Sequence, residues 1–137
     1  MKRLLSLAAF ALVACSAPIN AVELSDVYIM EPLDGRDMTA GYFTATNTGA
    51  DARIVGASSP VARAVELHTH EMDGDRMAMR KVDGVDLPSG ETVVFEPRGL
   101  HLMMFGVELP DGATEAPVTL RYADGTEVTV IAELRAR

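Results

Sequence analysis

Histidine and methionine, two residue types whose side chains can bind a soft metal ion, are concentrated in one part of this sequence. All three histidines, and five of the seven methionines that follow Met1, lie between residues 68 and 104. These residues are His68, His70, Met72, Met77, Met79, His101, Met103 and Met104. Isolated methionines usually fill gaps in a core, so a concentration of imidazole and thioether groups favours a binding site instead.

The donor types decide which metal ion such a site would favour. Thioether sulfur is a poor ligand for hard ions that prefer oxygen and a mediocre ligand for zinc, but it suits Cu(I). Two histidines together with two methionines therefore indicate a cuprous site, in which each imidazole must be neutral to bind the ion. Met30, Met38 and Met104 are expected to fill gaps in the core.

Short strands are expected to position these side chains. After the first 21 residues no window has the apolar spacing of an amphipathic helix, and β-rich runs alternate with Gly, Pro and Asp. The sequence therefore predicts one all-β domain over residues 22–137, a sandwich or a barrel. The predicted strands cover residues 27–30, 41–47, 53–58, 64–72, 76–82, 92–96, 100–107, 117–122 and 127–134.

Two Asp-Gly dipeptides, at residues 73–74 and 124–125, predict tight hairpin turns. If residues 73 and 74 form a two-residue loop, His68 lies directly opposite Met79, with Cβ atoms about 5 Å apart. Side chains alternate along a strand, so several potential ligands then share one face of the hairpin. They are His68, His70, Met72, Met77 and Met79.

The later strand carries a second pair of potential ligands. His101 and Met103 share one face of this strand, because they are two residues apart. Leu100, Leu102 and Met104 share the other face, which we expect to pack inward. A substitution of His101 should therefore weaken metal binding without unfolding the domain.

The first 21 residues are typical of an export signal. A positively charged start is followed by an apolar run over residues 4–14, too short to span a bilayer as a mature helix. Residues 12–15 resemble a bacterial lipobox, in which Cys15 becomes the acylated first residue and attaches the protein to a membrane. Cleavage after Ala21 would instead remove Cys15. We favour the lipobox, and on both alternatives the folded domain has no cysteine for disulfides or thiolate sites.

The charge of the chain excludes one class of partner. Acidic residues outnumber basic ones by 20 to 12, and no cluster of Lys or Arg occurs beyond the first three positions. Without such a cluster the protein cannot neutralise a phosphate backbone, so nucleic-acid binding is excluded.

The spacing of His68, Met79, His101 and Met103 resembles the His-x10-Met-x21-His-x-Met signature of the periplasmic PCuAC-type copper chaperones. The similarity covers most of the domain and includes residues 40–47, 56–60, 65–68, 100–103 and 120–125. It implies a cupredoxin-like β-sandwich with Greek-key topology that binds one Cu(I) per chain in an exposed site. The four residues of the signature inherit the role of copper ligands, while His70, Met72 and Met77 are left open as assisting residues.

The same resemblance implies a function in the periplasm. PCuAC-type proteins pass Cu(I) towards the binuclear copper centre of cytochrome c oxidase, often beside thioredoxin-like Sco proteins, and we expect this protein to act as a monomer. The alternative is a periplasmic copper buffer or resistance protein without a dedicated acceptor, which the ligands alone do not distinguish.

Two departures from the family pattern stand out. Pro97-Arg98-Gly99 replaces a common Pro-Gly-Gly, and a Met/His-rich C-terminal tail is missing.

An enzyme is not expected. Blue-copper electron transfer requires a cysteine thiolate beside two histidines, and the domain has none. The sequence also contains no G-x-S-x-G or H-E-x-x-H motif and no c-type haem attachment motif.

Overall fold

The computed structural model describes residues 21–137, so the predicted export signal and Cys15 lie outside the described part of the chain. In this part every regular element is a strand, and the all-β prediction is confirmed. No helix here is long and apolar enough to cross a membrane. The strands are β1 (Val22–Met30), β2 (Met38–Asn47), β3 (Ala52–Ser58), β4 (Ala64–Asp73), β5 (Arg76–Lys81), β6 (Val85–Leu87), β7 (Thr92–Phe95), β8 (His101–Phe105), β9 (Glu115–Tyr122) and β10 (Glu127–Arg135).

The strands form one strongly curved sheet in the order β5-β4-β8-β2-β1-β10-β9-β3-β6, and β7 pairs with a second stretch of β2. An additional pairing of β3 with β4, through Ala57 and Val65, brings the two ends of the order together. β1 and β10 run parallel, whereas the other neighbours are antiparallel. The sheet therefore folds back on itself around one core, as the predicted cupredoxin-like sandwich requires.

Alternating residues of the central strands fill the core. Along β9 the buried residues are Ala116, Val118, Leu120 and Tyr122, and Phe43 of β2 stacks on Phe95 of β7 with ring centroids 4.1 Å apart. In β8, Leu102 and Met104 belong to the hydrophobic core, and Leu100, just before the strand, packs against it, which confirms the predicted inward face. The core therefore lies behind the strands that carry the candidate ligands.

The predicted strands need several corrections. β1 and β2 begin at Val22 and Met38, five and three residues before their predicted starts. β6, with Val85 and Leu87 buried on one face, was missed because three residues between Gly84 and Pro88 are too few to display an alternating pattern. β8 is shorter than predicted and ends at Phe105. Gly106 follows with a φ of 61°, a left-handed conformation that interrupts the extended backbone.

The predicted pairing in the β4–β5 hairpin is wrong by one position on each strand. Asp73 pairs with Arg76, so the loop consists of Gly74 and Asp75, and His68 lies opposite Lys81 instead of Met79. Gly74 has a φ of 64° and occupies the first central position of the turn, as in type II′ turns. The pairing is displaced by one residue on each strand, so the two displacements cancel and the predicted side chains still share one face. They are His68, His70, Met72, Met77 and Met79.

Candidate metal centre

Three neighbouring strands bring the candidate ligands to one face of the sheet. His70 of β4 lies directly opposite Met79 of β5, and His68 of β4 lies directly opposite His101 of β8. Met103 follows two residues after His101 and therefore projects from the same face. The register thus assembles imidazole and thioether groups that are distant in the sequence.

An open cavity of about 470 Å³ lies on this face. Its walls include three of the four residues of the signature, Met79, His101 and Met103, whereas His68 is not among them. Met79 is 51% exposed at the mouth, while His101 and Met103 are 2% and 8% exposed at the base. The remaining lining residues are Leu33, Gly35, Arg36, Asp37, Met38, Thr39, Ala40, Tyr42, His70 and Arg137.

The turn before β8 fixes the orientation of the His101 ring. Nδ1 lies 3.0 Å from the carbonyl oxygen of Gly99, which can only accept, so Nδ1–H is the donor. In the neutral ring Nε2 then carries the lone pair, and this atom is buried without a partner. A hydrogen bond that fixes the tautomer in this way is typical of histidines that bind metals.

Burial also favours the neutral form of this ring. It lowers the pKa of His101, against the raising effect of the Gly99 hydrogen bond, and proximity to His70 and His68 lowers it further. The imidazole therefore stays unprotonated over a wider pH range than a free histidine, and protons compete less strongly with a metal ion for Nε2.

Arg98, which stands where the family pattern has a glycine, lies in the same turn before β8. Arg98 is exposed and has a φ of 68°, a conformation that costs a non-glycine residue about 1–2 kcal/mol. A glycine would adopt it without this cost, which explains the preference for Pro-Gly-Gly in the resembling sequences. Arg98 is not among the residues that line the cavity.

His68 is held beside the cavity by an acidic neighbour. Its Nε2 lies 2.8 Å from Oε2 of Glu66. The other carboxylate oxygen of Glu66, Oε1, accepts a hydrogen bond of 3.4 Å from Lys81. The hydrogen bond with His68 lowers the pKa of Glu66, with a smaller contribution from Lys81, although desolvation opposes the shift. Nδ1 of His68 is buried and has no partner.

The donor set fits a soft ion better than a hard one. Four buried side-chain nitrogen or oxygen atoms in the described chain lack a hydrogen-bond partner, and three are ring nitrogens of His68, His70 and His101. Unpaired buried polar atoms are costly, and a bound ion would satisfy them. Within residues 21–137 no three His, Cys, Asp or Glu side chains are placed to hold a metal ion by themselves. The cavity wall does include the thioethers of Met79 and Met103, and such ligands favour Cu(I).

Sequence reasoning missed part of the cavity wall. Met38 was expected in the core but is 45% exposed and lines the cavity with Tyr42, so that prediction is wrong, whereas Met104 is buried as predicted. Ala40 of β2 lies opposite Met103, and Met38 and Tyr42 share its face by alternation. This alternation is visible in the sequence, but the pairing of β2 with β8 is not.

The chain is similar to known proteins of one family. Residues 22–134 match the protein family described as "Putative lipoprotein LpqE-like". "Putative lipoprotein Lxx21020" of Leifsonia xyli subsp. xyli is 33% identical over 110 residues, which are 78% of this chain and 65% of that protein. The match therefore spans slightly less than two thirds of the relative's length.

Solved structures share the fold. The copper-bound PCuAC domain from PmoF2 has a TM-score of 0.73 at 21% identity, with 88% of this chain and 97% of that domain covered. The solution structure of Cu(I)-DR1885 from Deinococcus radiodurans has a TM-score of 0.63 at 25% identity, with 89% and 81% covered. The resemblance predicted from the spacing of histidine and methionine is thereby confirmed.

Proposed function

Since this chain belongs to the LpqE-like family and is of the PCuAC type, we propose that it is an extracytoplasmic carrier of Cu(I). The observation that supports the proposal is a cavity lined by Met79, Met103 and His101, with Nε2 of His101 buried and unpaired. His68, whose Nδ1 is buried and unpaired while its Nε2 contacts Glu66, completes the proposed ligand set. One ion per chain is expected, because the other three ligands line a single cavity.

The ligand chemistry supports a carrier rather than an enzyme. A thioether has no proton to lose and forms no disulfide, so it stays available to Cu(I) in a compartment where thiols would be paired as disulfides. Met79 is half-exposed at the mouth, where a partner's ligands could reach the ion. These features favour a site that releases its ion to another protein.

A Cu(I) titration tests the binding proposal. Under anaerobic, reducing conditions with a competing chromogenic chelator, the protein is expected to take up one tight equivalent. Met103→Leu removes a cavity thioether while keeping its volume, and it should weaken binding by about tenfold or more. Met104→Leu is the matched control, because Met104 is the neighbouring methionine on the core face. More than one tight equivalent, or equal affinity in the two variants, would contradict the proposal.

We further propose that the copper is delivered in the periplasm towards the binuclear centre of cytochrome c oxidase, either directly or through a thioredoxin-like Sco protein. A lipid anchor at Cys15 would keep the carrier near this membrane enzyme. A strain that lacks the protein should contain less copper in its oxidase when copper is scarce. Full copper content in that strain would argue against delivery and favour a copper buffer without a dedicated acceptor.

A further inference from the structure

His70 is a third histidine at the cavity and is outside the ligand set proposed above. It lines the cavity directly, and its strand position is opposite Met79. The centroid of its ring is 5.1 Å from that of His101, closer than the 5.7 Å between His68 and His101. Its Nδ1 is buried and has no hydrogen-bond partner. His70 therefore combines an unpaired imidazole nitrogen with a place in the same cavity wall as Met79, His101 and Met103.

His68 is less available in the same arrangement. Its Nε2 is hydrogen-bonded to Glu66, it pairs with Lys81 rather than Met79 on β5, and its ring lies 6.2 Å from that of Phe105. Glu66 is itself held by Lys81, which is the residue opposite His68 on β5. The Nδ1 of His68 is unpaired as well, but His68 is not among the residues that line the cavity, whereas His70 is.

We propose that His70 is a copper ligand, which binds Cu(I) together with Met79, His101 and Met103 while His68 remains hydrogen-bonded to Glu66. This inference rests on the proposed function and refines its ligand set. His68 and His70 are then alternative imidazoles for one coordination position. Exchange between them keeps the ion bound while one ligand is released, which suits an ion that must be handed on.

Variants of β4 test the role of His70. Cu(I) affinity is measured by chelator competition for His70→Ala, His68→Ala, the double variant and Thr69→Ala. Thr69 is the matched control, because it lies between the two histidines with its side chain on the opposite face of β4. His70→Ala should bind Cu(I) about tenfold or more weakly than Thr69→Ala, and the double variant more weakly than either single variant. Equal affinities of His70→Ala and Thr69→Ala would overturn the inference.

The unmodified protein provides a second, direct measurement. Cu(I) is diamagnetic, so the ring nitrogens of each histidine can be followed by ¹⁵N NMR as one equivalent of Cu(I) is added. One ring nitrogen of His70 is expected to shift strongly. If the protein binds Cu(I) but the His70 nitrogens do not move, this inference fails and the proposed function survives. If the protein does not bind Cu(I), the proposed function fails and the inference fails with it.

Discussion

The β4–β5 hairpin and the β9–β10 hairpin both contain an Asp-Gly dipeptide at the turn, but they use their alternating side chains differently. In β9–β10 one face is buried, with Leu120 and Tyr122 in the core. In β4–β5 the outer half is exposed, and Met72, Met77 and Met79 reach solvent. One hairpin therefore contributes core packing, and the other presents potential ligands.

The two hairpins also differ in position and in burial. β9 and β10 have paired neighbours on both sides, β3 and β1, and both strands contribute side chains to the core. β5 is at one end of the strand order and pairs only with β4. No residue of β5 is buried, so its side chains are free of core packing and remain accessible to an ion or a partner.

Among substitutions in the two hairpins, the largest effect on stability is expected at Leu120 of β9. Leu120→Ala should lower the free energy of unfolding by about 2–5 kcal/mol, because a buried side chain is replaced by a cavity. Thermal or urea unfolding of the apo-protein measures this loss. The fraction that remains folded should still bind one Cu(I). A loss below about 1 kcal/mol would show that the β9–β10 hairpin is not the packing element described here.

The converse prediction concerns Met79. Met79→Leu should weaken Cu(I) binding by about 10- to 100-fold, since it removes a thioether at the cavity mouth. The free energy of unfolding should stay within about 0.5 kcal/mol of the unmodified protein, because Met79 is half-exposed. Chelator competition and thermal unfolding on the same sample separate the two effects. A loss of stability without a loss of Cu(I) affinity would show that Met79 contributes to packing and not to the binding site.

The two turns offer a matched pair of smaller changes. Gly74 and Gly125 have φ values of 64° and 87°, and a Cβ at either position would meet no atom within 4 Å. Gly74→Ala and Gly125→Ala should each destabilise the protein by about 1–2 kcal/mol through backbone strain alone. Only Gly74→Ala should also weaken Cu(I) binding, because its turn sets His70 opposite Met79. Equal Cu(I) affinities of the two variants would show that this register is not needed for binding.

Met72 should give the smallest effect. It pairs with Met77 near the end of the β4–β5 hairpin, is 64% exposed and does not line the cavity. Met72→Leu is expected to change the free energy of unfolding by less than about 0.5 kcal/mol. Its Cu(I) affinity should match that of the unmodified protein in the same competition assay. A loss as large as that of Met79→Leu would extend the binding site to the hairpin end.

Local pattern was sufficient to predict the all-β class and the common face of the donors. Side chains alternate with a period of two in any strand, so His101 and Met103 must share a face whatever their neighbours are. The same argument placed Leu102 and Met104 inward, where both are buried. Strand alternation could not predict that Met38 lines the cavity, because the surroundings of Met38 depend on which strand pairs with β2.

The sequence by itself determined the kinds of donor groups, their faces and the absence of cysteine from residues 22–137, because these follow from residue type and strand periodicity. The tertiary structure decided which donors meet. It placed His70 rather than His68 opposite Met79, and it drew His68 towards Glu66. Pairing is set by the geometry of a turn and by contacts between strands distant in the chain, and a period of two is equally compatible with several pairings.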